Sequence, residues 1–70
     1  MRYRIELPTM VLASSGHHQA AVTIQPGTIV DLIGPAPGDD RFLVIQHGDQ
    51  EFHVFASDLA ARGREVKDGI

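Results

Sequence analysis

At 70 residues and without cysteine, the chain has room for one domain, residues 1–70, and excludes disulfide-stapled scaffolds and thiolate metal sites. Its 43% hydrophobic content argues against disorder, and the 6% aromatic content predicts a core made mostly of Val, Ile and Leu. Six basic residues against nine acidic ones give a net charge of −3, which disfavours a polyanionic partner.

Residues 2–7 alternate, with Tyr3, Ile5 and Leu7 on one side and Arg2, Arg4 and Glu6 on the other. Period two predicts a half-buried strand, ended by Pro8. "TMVLA" extends again briefly, and "SSGHHQ" reads as a loop. A strand restarts at Val22–Ile24. Pro26-Gly27 then suits a type II turn, with proline fixing φ at the first central position and glycine taking positive φ at the second. Thr28 to Ile33 is a second β-forming run.

Residues 34–40, "GPAPGDD", read as a loop, because prolines and glycines weaken a ladder. Arg41 to His47 is the next strand, Gly48-Asp49 a hairpin turn, and Glu51 to Phe55 the returning strand. Phe55 is placed inside, as a major core residue. Ser57 to Gly63 reads as one tethered helical turn, with Ser57 as N-cap and Gly63 beyond its end. Arg64 to Val66 is a last short strand, and "KDGI" a loose tail.

This order resembles the SH3-like barrel, in particular its bacterial and KOW-type relatives. "VTIQPGTIVDLIG" looks like the diverging turn and second strand of that family. "RFLVIQHGDQEFHVF" looks like the third and fourth strands around a tight distal turn, and "ASDL" stands where the family has a short 3₁₀ turn. The resemblance implies an all-β fold, a small five-stranded barrel with one helical turn before its last strand. The aromatic peptide-binding residues of eukaryotic members have no counterpart: Arg41-Phe42 stands where the family carries tryptophan, and Leu59 where it carries tyrosine.

Four histidines, His17, His18, His47 and His53, are the candidate metal ligands. Adjacent His17-His18 lacks the i, i+4 spacing of helical zinc ligands. His47 and His53 flank one hairpin and are within imaginable reach of Asp49 or Glu51. No metal or other cofactor is assigned. Paired acids at Asp39-Asp40 and Asp49/Glu51 fall in turns, where aspartate bonds its own backbone. Ser14-Ser15-Gly16 has no nucleophile elbow, and no helix follows the loop glycines to make a phosphate cradle. No catalytic residue is therefore named. Arg2, Arg4, Arg62, Arg64 and Lys67 lie near the two ends of the chain and could form a small basic patch if the ends meet, but a solvated edge is the expected reading because the overall charge opposes polyanions.

The most informative pattern is apolarity on both strand faces. Phe42 and Val44 oppose Leu43 and Ile45; Val30 and Leu32 oppose Ile29 and Ile33. A half-solvated antiparallel strand is apolar on one face only. Something covers the second face: the "TMVL" arm or the helical turn of the chain itself, a second copy, or another protein. Ile29, Ile33, Leu43 and Ile45 are taken as the self-association surface. The expected function is a non-enzymatic binding or assembly module that self-associates. The alternatives are a KOW-type nucleic-acid-binding barrel using the terminal arginines, and an oligomeric enzyme whose site forms between subunits. No run reaches the roughly 18 apolar residues of a membrane span, and "MRYRIEL" lacks a signal-peptide core, so a soluble cytoplasmic protein is expected.

Overall fold

The computed structural model describes residues 1–15 and 18–67. Seven strands and one helix follow in the order β1 (Arg2–Ile5), β2 (Thr9–Ser15), β3 (His18–Ile24), β4 (Ile29–Ala36), β5 (Asp39–His47), β6 (Gln50–Phe55), α1 (Ala56–Arg62) and β7 (Gly63–Val66). All seven strands belong to one antiparallel sheet of order β3-β2-β6-β5-β4-β1-β7. The domain is all-β, as expected, but the five-stranded closed barrel is replaced by a seven-stranded open sheet. The runs read as extended at "TMVLA" and Val22–Ile24 lengthen into β2 and β3 at the expense of the segment read as a loop between them. "SSGHHQ" contributes strand residues on both sides of positions 16 and 17, because Thr9–Ser15 pairs along its whole length with His18–Ile24. The polar side chains of Ser14, His18 and Gln19 are tolerated there because all three are exposed. His17 and the tail from residue 68 lie outside the described residues.

The two-residue turn at Gly48-Asp49 sets the central register. His47 opposes Gln50, so Ile45 opposes Phe52, Leu43 opposes Val54, and Phe42 opposes Phe55. Gly48 has φ +61°, the value a first central residue needs in a type II′ hairpin turn. At the Pro26-Gly27 corner, Gly27 has φ +92° and the Thr28 N–H donates to the Gln25 carbonyl at 3.3 Å, so the expected type II turn forms.

The "GPAPGDD" loop is a second correction. Strand β4 runs on through Pro35 to Ala36, and β5 begins at Asp39. Pro35 is accommodated because β1 pairs with β4 only from Ile29 to Asp31, so that Pro35 has a neighbouring strand on one side only, as at a sheet edge. The ladder slips between Leu32 and Gly34, setting Ile33 and Gly34 together opposite Val44.

The sheet's inner face wraps a core of Ile5, Val11, Ile24, Val30, Ile45, Phe52, Val54 and Leu59, with Tyr3, Ala13, Leu32 and Leu43 packed against it. Every strand but β7 contributes to this cluster, and Leu59 is the helix's contribution. Thr9 is the one buried polar residue among those described, and its hydroxyl donates to the Leu7 carbonyl at 2.8 Å.

The helix departs from its expected caps. It starts at Ala56, so the N-cap position falls to Phe55, whose side chain makes no capping bond. The reason is that the helix leaves β6 without a linker. Gly63 ends it with extended backbone (φ −119°), not the left-handed conformation. Glycine is favoured there by space: a Cβ would stand 3.0 Å from the Leu59 carbonyl oxygen and 3.2 Å from its Cδ1.

Candidate self-association surface

Residues opposed in a sheet share a face, so the register sorts every candidate. Ile45 is fully buried, opposite Leu32 and Phe52, and Leu43 packs on the same core opposite Val54. Both therefore leave the expected surface. Ile29 and Ile33 remain on the outside, Ile33 being 55% exposed at the irregular step of β4. The strand is two-sided as expected, but its faces are exchanged: Phe42 and Val44 point outward.

Phe55 is the matching correction. It is 37% exposed, and its ring stacks on Phe42 with centroids 4.4 Å apart. Phe52 and Val54 hold the core position given to Phe55, because Val54 is the residue that opposes inward-facing Leu43. The tilted ring of His53 lies 6.2 Å from Phe42, opposite Val44. The outer face of β4, β5 and β6 thus carries Ile33, Phe42, Val44, His53 and Phe55, of which Ile33 and Phe55 are exposed, Phe42 and His53 half-buried and Val44 buried. The signal that identifies them was present in the sequence: a two-residue turn pairs Ile45 with apolar Phe52 and Val44 with polar His53.

Neither internal cover is laid across this face, although Leu12 of the "TMVL" arm extends it opposite His53 and Val44 on it is buried. The "TMVL" arm is strand β2 of the same sheet, and its Val11 lies in the core. The helical turn sends Leu59 into the core from the inner side.

His47 and His53 lie on opposite faces, since His47 shares a face with Ile45 and His53 with Val44, so the imagined two-histidine site does not assemble. Among the described residues no group of three or more His, Cys, Asp or Glu is placed to hold a metal ion. His18 stands exposed at the start of β3. A shallow groove of about 370 Å³ opens where β2 diverges from β6, lined by Leu12, Ala13, Asp49, Glu51 and His53 among others. A second, of about 270 Å³, lies between Val22, Thr28, His47 and Phe52.

The chain's two ends do meet, through antiparallel pairing of β1 with β7. Arg4 opposes Arg64, and Glu6 sits between them, 3.3 Å from the Nε of each. Arg62 donates instead to the Pro8 carbonyl at 3.0 Å. Of the basic residues at the meeting ends, Arg4 and Arg64 thus share the Glu6 carboxylate, each with an exposed side chain.

At the β4–β5 hairpin, the Arg41 guanidinium bonds both carboxylate oxygens of Asp39, at 3.0 and 2.9 Å, and the Arg41 backbone N–H adds a third bond at 3.1 Å. These bonds, the side-chain ones foremost, hold the Asp39 carboxyl at about 2 instead of the ordinary 3.8. A depressed carboxyl pKa favours the folded state above 3.8, and that contribution disappears as pH falls through 2. Asp39 should therefore titrate near 2 by carboxyl NMR, and Arg41→Ala should bring the midpoint back toward 3.8. A wild-type midpoint already near 3.8 would show the pair absent in solution.

No protein-family model matches this chain, and no curated protein or solved structure matches it. No helix among the described residues is long and apolar enough to cross a membrane.

Proposed function

We propose that the chain is a non-enzymatic binding or assembly module of the cytoplasm that self-associates through the outer face of β4, β5 and β6. The observation that carries the reading is the stacked Phe42–Phe55 pair, with Phe55 37% exposed, together with Ile33, 55% exposed, on the outer side of β4, β5 and β6. Water contact with such surface is unfavourable by about 25 cal/mol per Å² of apolar area. A two-fold contact removes the same patch on both copies at once, which makes a second copy an efficient cover. Glu51 and Asp31, each in register with Gln46 on this face, supply the polar rim that interfaces of this kind carry. The likeness to SH3-like domains belongs to the same proposal. It rests on the order of elements: a first strand, a long excursion, a proline-glycine corner, a three-stranded meander, a helical turn and a last strand beside the first.

Light scattering should give at least twice the monomer mass of 7.6 kDa. Ile33→Asp, at an exposed position, should lower the mass while far-UV circular dichroism stays unchanged. A wild type that remains monomeric at millimolar concentration overturns the proposal.

A further inference from the structure

The two edges of the sheet are unlike. β7 is four residues long and carries Arg64 and Glu65, the short charged type of edge that resists further pairing. β3 is seven residues long, with the sequence His-Gln-Ala-Ala-Val-Thr-Ile, and contains no Asp, Glu, Lys, Arg or Pro. From Leu7 to Val30, the whole β2–β3 hairpin and its flanks, the chain carries none of the four charged residue types. All of its formal charge lies elsewhere.

β3 is also exposed on both faces. His18 through Thr23 are exposed, whether they share the inner face with Val11 or the outer face with Leu12, and Ile24 alone is buried. Its sole ladder partner is β2, and β2 in turn meets β6 only at Leu12 and Ala13. The hairpin therefore presents a row of backbone donors and acceptors on its free side. None of the usual protective devices interrupts that row among the described residues of β3: no charge, no proline, no covering segment.

We infer that β3 is a strand-pairing site whose partner is β3 of a second copy, joined antiparallel about a two-fold axis at Ala21. The strand is complementary to itself in that register. Ala21 meets Ala21, Ala20 meets Val22, Gln19 meets Thr23, and His18 meets Ile24, so no formally charged residue faces another and all seven positions are used. The pairing continues each sheet into the other and supplies the main-chain bonds that the edge lacks. It is independent of the outer face, so one chain carries two self-complementary surfaces. Two different two-fold contacts build assemblies larger than a dimer.

The test is a charge exchange at Ala21, which is exposed and opposes Leu12 on the outer face. Light scattering of the wild type should show four or more copies. Ala21→Lys and Ala21→Glu should each show two, since like charges would meet at the axis, and mixing the two variants should restore the wild-type mass. Ile33→Asp combined with Ala21→Lys should give a folded monomer. Hydrogen exchange gives a second readout: amides on the free side of Gln19–Thr23 should become protected as wild-type concentration rises, and stay unprotected in Ala21→Lys. A dimer that survives Ile33→Asp but is lost in Ala21→Lys supports the edge and overturns the outer-face reading. Wild-type mass in Ala21→Lys, or edge amides equally open at every concentration, overturns the edge pairing and leaves the outer-face reading standing. The second result is also what an edge reserved for another protein's strand would give.

Discussion

Ile45→Asp should leave the chain unfolded in water at 25 °C. Ile45 has no exposed surface and lies at the centre of the core, with Leu32 on one side and Phe52 on the other. No arginine or lysine belongs to the core cluster that would receive the carboxylate. Burying an unpaired charge costs several kcal/mol even after relaxation, and the lost isoleucine packing adds roughly 2–5 kcal/mol. A domain of this size rarely has more than about 3–5 kcal/mol from its core. Circular dichroism and the dispersion of amide NMR signals should both report an unfolded chain. Had the outward assignment of Ile45 been right, the same variant would be a folded or partly unfolded monomer. A folded Ile45→Asp would therefore overturn the register of β5 and β6.

Leu59→Ala should remove about 2–5 kcal/mol of stability, a loss comparable to the whole. Leu59 is 1% exposed and is the only helical residue in the core cluster. A seven-residue helix does not persist alone in water, so α1 is held by this side chain rather than by its own hydrogen bonds. Its last carbonyl, on Arg62, accepts the backbone N–H of Glu6 at 2.7 Å, which ties the helix end to the segment after β1. Losing Leu59 should therefore loosen the β1–β7 edge along with the helix. A urea titration should show a large fall in midpoint, or no folded baseline at all. A loss below about 1 kcal/mol would mean that the helix is not part of the core.

The outer face and the β3 edge differ in how legible they were. The two-sided apolarity of residues 42–45 and 29–33 was plain from period two alone. Which side faces the core was not decided by periodicity, because both sides are apolar. It was decided by pairing: the Gly48-Asp49 turn opposes Ile45 to Phe52 and Val44 to His53, and a histidine is the poorer core residue. The β3 edge escaped a local reading for a different reason. "SSGHHQ" has the composition of a loop, and its strand character comes from a partner several residues away.

The sequence by itself determined the local events. Alternation in Arg2–Ile5, the positive-φ glycines at the Pro26-Gly27 corner and the Gly48-Asp49 turn, and the β-branched runs of β4 and β5 are settled within a few residues, by sterics and side-chain period. The tertiary structure decided what depends on neighbours distant in sequence. It determined that Phe55 stacks on Phe42 at the surface while Phe52 fills the core. It allowed Pro35 into a strand, because β1 stops short of it. It left β3 as an uncharged edge and β7 as a charged one. The physical reason is that a strand's propensity is local, whereas its face and its free edge are defined only by the strand beside it.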